Sequence, residues 1–276
     1  MTVLELLLPA FVASLILTGI HAYLGVHVVE RGVIFVDLSL AQIAALGTTV
    51  AYLAGYDLHS TTAYLFSLGF TFVGAAVFSL SRPHRETRIP QEAIIGIVYA
   101  VSAAMAILVM SKATQETEHL KDMLVGNILS VSWPELGKTA VLYSLVGLFH
   151  YLFRRRFLMI SMNESEAGRQ GVNIRLWDFL FYMSFGFVVT SSVAIAGVLL
   201  VFCFLIVPAV AAMLFSERLG TRLAIGWSMG ALVSAAGVAL SYVLDLPTGA
   251  TIIGTFGVAL LVLAGVRAMV RRPAIS

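Results

Sequence analysis

The chain has 276 residues, 59% of them hydrophobic and only 12% charged, with a mean hydropathy of +0.96. A water-soluble domain carries about 25% charged residues, so this composition excludes an ordinary globular protein and places the chain in a bilayer. The net charge of +2 is too small to call for a nucleic-acid partner, and in a membrane protein the placement of Lys and Arg says more than their sum.

Lipid offers no hydrogen-bond partners to the backbone, so only helices and closed barrels can cross it. Barrels need short segments of strict apolar/polar alternation, whereas here apolar runs of about 18 residues or more recur, which predicts an all-α polytopic membrane protein. The single cysteine, Cys203, lies inside an apolar run and excludes a disulfide or a thiolate cluster within one chain. The opening MTVLELLLPAFVASLILTGI has Glu5 as its only early charge and lacks the basic start of a secretory signal, so it reads as a retained first span.

In chain order, spans are expected near 5–25, 34–55, 61–81, 91–111, 137–153, 176–195, 197–215, 223–243 and 248–268. Nine is the preferred count and eight the alternative, because Phe179 to Phe215 offers only 37 residues for two crossings. Thr190, Ser191, Ser192 and Gly197 mark the tight turn or broken helix expected there.

Alternate loops, at 26–33, 82–90, 154–178 and 216–222, together with the C-terminal tail, collect every one of the fourteen arginines. The other side receives the only three lysines, Lys112, Lys121 and Lys138. The positive-inside rule then puts the N-terminus outside and the C-terminus in the cytoplasm. On the outer side, Ser111 to Pro134 ends in an apolar stretch, Met123 to Trp133, too short to cross and expected to be re-entrant or surface-lying. With no internal repeat or soluble domain, residues 1–276 are expected to form one membrane domain.

The longest polar run, Arg154 to Asp178, falls on the cytoplasmic side. Glu164, Glu166 and Ala167 have a helical look, with Gly171 as the stop. It is either a charged tether that fixes topology or a surface for a cytoplasmic partner.

Two carboxylates near predicted span ends, Asp37 and Asp245, are candidates for a substrate path, because an acid at the bilayer centre costs about 2.5–3.5 kcal/mol on insertion scales. At a span end the bland alternative is a solvated or capping acid. Pro247 and Gly249 follow Asp245 and favour a break that exposes backbone groups. The six histidines, His21, His27, His59, His84, His119 and His150, include no i, i+4 metal pair. His59, beside Asp57, and His119, among Glu116, Glu118 and Asp122, are weak outer-face metal candidates, more simply read as solvated loops. Gly137, Lys138 and Thr139 resemble the end of a phosphate loop, but Ser132 occupies the position of its first glycine, so no nucleotide site is expected. Gly226 and Gly230 form a GxxxG that serves packing within the subunit or against a second one.

Six segments, RGVIFVDLSLAQIAALG at 31–47, PQEAIIGIVYA at 90–100, VGNILSVSWPEL at 125–136, EAGRQGVNIRLWDFLFY at 166–182, GVLLVFCFLIVPAVAAMLF at 197–215 and SYVLDLPTGATIIG at 241–254, together resemble the permease subunit of ATP-binding-cassette importers for zinc, manganese or iron(II). The resemblance implies a homodimeric pore, a cytoplasmic ATPase that uses ATP, an extracytoplasmic metal-binding protein, and no cofactor or catalysis in this chain. It implies that Glu166, Ala167 and Gly171 form the coupling element for the ATPase and that Asp245, with Asp37, supplies transient metal ligands, with zinc the first expectation. The second-span motif departs from the family's Asp and His four residues apart: anchored on Gly47, it has Leu38 and Gln42 there, and Asp37 is displaced by one.

Two other classes compete. A secondary carrier would show buried coupling charges and inverted repeats, neither of which is evident. An intramembrane aspartyl protease needs two carboxylates at one depth, whereas the loop assignment puts Asp37 near the inner face and Asp245 near the outer.

Overall fold

The computed structural model describes residues 3–58, 60–82, 89–111 and 128–270. The described residues form eleven α-helices and no strand: α1 (Val3–Glu30), α2 (Val36–Leu53), α3 (Thr61–Leu80), α4 (Gln91–Met110), α5 (Trp133–Leu152), α6 (Arg154–Met162), α7 (Glu164–Arg169), α8 (Ile174–Ala196), α9 (Val198–Phe215), α10 (Leu219–Leu244) and α11 (Thr248–Val270). Eight are long and apolar enough to span, and α5 makes a ninth only when taken with α6, from which it is bent by 76°. The nine expected spans thus each fall on one long helix, and the all-α polytopic fold is as anticipated.

The close pair at 176–215 resolves onto one residue. Gly197, at φ 74° and ψ 161°, separates α8 from α9, a conformation that a side chain strains. Thr190, Ser191 and Ser192, expected at that break, instead lie inside α8, where Ser191 donates to the Phe187 and Val188 carbonyls at 3.0 Å. Serine in an apolar helix satisfies itself on the preceding turn, so a polar cluster need not break the helix.

The chain divides into two compact units. One comprises residues 1–29, 125–141 and 195–276. Within it α9, α10 and α11 pack on one another, and Phe204 meets Phe256 edge-on at 5.6 Å. The GxxxG is used here: a Cβ on Gly230 would lie 2.1 Å from Thr18 Cγ2, and one on Gly226 would touch Ala22 at 3.4 Å. Both glycines therefore serve helix approach within the subunit, against α1, where Trp227 Nε1 also donates to the Gly19 carbonyl at 3.0 Å. Residues 123–127 of the Met123 to Trp133 stretch lie outside the described residues; the part that is described contains a 3₁₀ turn, Ile128–Ser130, packed on α11.

The other unit comprises residues 30–124 and 142–194. Here α2 is the central helix, packed on α3 and α4. Gly47 lets α3 approach so closely that a Cβ would sit 2.8 Å from the Phe66 carbonyl oxygen, and Ser67 Oγ donates to the Ala44 carbonyl at 3.0 Å.

The tightest glycine contact among the described residues is at Gly25, whose added Cβ would lie 1.9 Å from the backbone oxygen of Leu205, while Gly19 on the same helix has nothing within 4 Å. Gly25→Ala is expected to destabilise the detergent-solubilised protein by about 1–3 kcal/mol, the usual cost of overpacking. Gly19→Ala should leave the thermal midpoint unchanged or raised; equal midpoints for the two variants would disprove the close α1–α9 packing.

Candidate functional site

Asp37 stands in the first turn of α2 and is the only charged residue of that helix. It is 1% exposed, and neither carboxylate oxygen has a hydrogen-bond partner among the described residues. The simplest role for an acid at a helix start, accepting from the first free amides, is not the one it plays, because α2 has no side-chain cap bond. Ser39 Oγ, two residues on, is likewise buried with no hydrogen-bond partner among the described residues. A desolvated carboxylate is costly to bury, and a cation offsets that cost directly.

Asp245 has a different setting. It follows the last residue of α10 at φ 51° and ψ 48°, the one non-glycine residue with positive φ among those described, and it is exposed. Asp tolerates this left-handed conformation better than most residues. Ser241 Oγ closes the turn by donating to the Leu246 carbonyl at 2.8 Å. The helix break anticipated from Pro247 and Gly249 is therefore a tight turn between α10 and α11.

His59 and His119 lie outside the described residues, as does His84. The remaining histidines are core residues: His21 bonds the Leu17 carbonyl at 2.7 Å, His27 meets Tyr23 edge-on at 4.7 Å, and His150 bonds Ser184 Oγ at 2.9 Å while stacking on Phe157 at 4.3 Å. Among the described residues no group of three or more His, Cys, Asp or Glu is placed to hold a metal ion. Gly137, Lys138 and Thr139 lie within α5 rather than on a loop, so their amides are committed to the helix.

The polar run Arg154 to Asp178 is not one loop. It contains α6, α7 and the start of α8. Asn163 caps α7, its side chain accepting from Glu166 N at 3.1 Å. Gly171 ends the segment at φ 70°, with Val172 N donating back to the Ala167 carbonyl at 3.1 Å. The three residues singled out in the sequence thus have separate tasks. Ala167 is fully buried and anchors the helix, Gly171 turns the chain, and Glu166 is held within α7 by Arg169 at 2.5 Å and Gln170 at 2.8 Å.

A group that sequence reasoning missed lies beside α7. Asp178, 0% exposed in its side chain, accepts Arg31 Nη1 on Oδ1 at 2.9 Å and Arg82 Nη1 on Oδ2. Arg82 also grips Glu164 at 3.0 Å, and Arg31 Nε donates to Ser161 Oγ at 2.7 Å with its guanidinium 4.0 Å from the centre of the Phe181 ring. Burial opposes the charge on Arg82, yet Asp178 and Glu164 together outweigh it and raise its pKa. Burial likewise opposes the charge on Arg31 and lowers its pKa, with Asp178 pulling the other way. Beside these groups is a cavity of about 950 Å³ lined by Arg31, Arg82, Gln91, Asn163, Glu164 and Arg169 among others. The signal available in the sequence was that Arg31 and Arg82 lie in two loops assigned to the same side as the polar run. Their shared acceptor, counted as the end of a loop, is in fact in the first turns of α8.

A model of the ABC 3 transport family matches residues 3–267. The chain belongs to the ABC 3 transport family. Relatives of the ABC 3 chain include the "Manganese transport system membrane protein MntC" of Listeria innocua, 25% identical over 250 residues, covering 88% of this chain and 84% of the relative. A "Probable iron transport system membrane protein" of Haemophilus influenzae is 28% identical over 249 residues, covering 90% of this chain and 89% of the relative. The fold matches that in the solved structure "PsaBC from Streptococcus pneumoniae in complex with Fab", with a TM-score of 0.75 and 21% identity over 93% of this chain and 90% of the other. The ABC 3 chain is a multi-span permease of the inner (plasma) membrane.

Asn163→Ala should cost α7 about 1 kcal/mol, the usual worth of a side-chain cap. Amide exchange should then quicken at Glu166 and its neighbours while α8 is unchanged; unaltered exchange at Glu166 would show that the cap does not hold the segment.

Proposed function

We propose that the ABC 3 chain is the pore-forming subunit of an ATP-driven importer for manganese or iron(II), in which α7 contacts a cytoplasmic ATPase. The observation that carries the metal reading is Asp37, a buried carboxylate at the start of a membrane span whose two oxygens have no hydrogen-bond partner among the described residues. Carboxylate oxygens suit hard cations such as Mn²⁺, and imidazole at position 42 would have suited zinc; Gln42 stands there instead. Zinc was the first expectation from the resemblance. The two relatives described above are named for manganese and iron, which, with this donor set, moves the preference to those ions.

The proposal extends to the rest of the assembly, as the resemblance implies it. Two copies of the chain enclose the path, each acting as one permease domain, and an extracytoplasmic binding protein delivers the ion. The N-terminus lies outside and the C-terminus inside, a reading supported by the convergence of Arg31, Arg82 and the α6–α7 segment, all from loops assigned to the cytoplasm. A permease must release its ion, so one carboxylate per subunit is better suited than a full set of ligands that would trap it. Asp245, exposed on the α10–α11 turn, is the second proposed station, and Glu166, Ala167 and Gly171 build the ATPase contact.

The test is uptake of radioactive manganese into proteoliposomes holding the chain, its ATPase and the binding protein. Asp37→Asn should lower uptake at least about tenfold, as expected when the only charged ligand of a station is lost, with the ATPase still co-purifying. Asp245→Asn keeps a residue tolerant of positive φ and should also reduce uptake; a normal rate would reduce Asp245 to a turn former. Wild-type uptake by Asp37→Asn, or uptake driven by an ion gradient without ATP, would refute the proposal.

A further inference from the structure

We propose that Asp178 is a positioning residue for transport, the carboxylate through which a displacement of α7 is passed to the turn that opens α2 and carries Asp37. The proposal rests on α7 being the ATPase contact. It comes from the connectivity of one buried network. At its outer end is Glu164, the first residue of α7, with a side chain 53% exposed. The other acid of α7, Glu166, is engaged within the helix by Arg169 and Gln170, so Glu164 is the α7 acid that reaches another element.

Arg82, just beyond α3, holds Glu164 with one side of its guanidinium and Asp178 with the other. The second oxygen of Asp178 holds Arg31, which is followed by Gly32 at φ 65° and by the Val36 N to Val33 carbonyl bond, 3.1 Å, that begins α2. Asp37 lies six residues beyond Arg31 along the chain. The hub itself is held in place, because Ser79 Oγ at the end of α3 donates to the Arg175 carbonyl at the start of α8 at 2.6 Å.

A buried ion pair is weak evidence for stability, since an apolar substitute of the same shape often serves as well. Its specific property is geometric: two guanidiniums on one desolvated carboxylate cannot separate without leaving a buried charge uncompensated. The loop before α2, the loop after α3 and the start of α7 are therefore tied to one point. Coupling of this kind needs an element that both ends bias, and the tied turn at Gly32 is that element.

The experiment measures manganese ions imported per ATP hydrolysed by the complete complex in proteoliposomes. Asp178→Asn keeps the shape and removes the charge, and the ratio should fall about tenfold, within the usual range of coupling between sites. Glu164→Gln cuts the same network at its exposed end without disturbing the buried pair, and the ratio should fall roughly threefold. A purely structural role would lower uptake and hydrolysis together and leave the ratio at the wild-type value; that result, in either variant, overturns the proposal. If Asp178→Asn is not recovered from the membrane, Glu164→Gln decides alone. Failure of the ATPase to co-purify with the wild-type chain would instead overturn the reading of α7 as the contact, and this proposal with it.

Discussion

The constraint on which this structure depends is that hydrocarbon cannot hydrogen-bond a peptide group. Every long element is consequently a helix, and the polar side chains inside those helices return to their own backbone where they can. Ser14 to the Ala10 carbonyl, Thr49 to Ala45, Thr71 to Ser67 and Ser191 to Phe187 all repeat that local solution. Against this background the groups that do not return to the backbone stand out, and Asp37 and Asp178 are opposite kinds of exception.

Asp178 is a compensated charge. Its two oxygens take two arginines from separate loops, and the cost of burying three charged groups is offset only because the geometry serves all of them. Asp37 is buried with no hydrogen-bond partner among the described residues.

Glycine positions set how closely the helices approach. Gly25, Gly47, Gly230 and Gly237 each sit where a Cβ would meet backbone or a neighbouring side chain at 2.9 Å or less. Lipid gives helices no hydrophobic reason to associate, so contact quality decides packing. The GxxxG at Gly226 and Gly230, ambiguous as a motif, is occupied by Thr18 and Ala22 of the same chain and so is not free to serve as the seam between two copies.

Span count and the family were legible in the sequence itself, because apolar length and local motifs are one-dimensional properties. The same is true of the segment ended by Gly171, since a left-handed stop is local backbone chemistry. The division of labour among Glu166, Ala167 and Gly171 was not legible, and neither was the break at Gly197 rather than at Thr190 to Ser192, because each depends on which carbonyl or cavity a side chain reaches. Arg31, Arg82, Glu164 and Asp178 are spread over 148 residues of chain from first to last. Their meeting at one carboxylate was decided only by tertiary packing, since no periodicity records which loops close on the same point. The burial of Asp37 was decided there too: the sequence places an acid near the start of a span, but only packing around α2 removes it from water with no hydrogen-bond partner among the described residues.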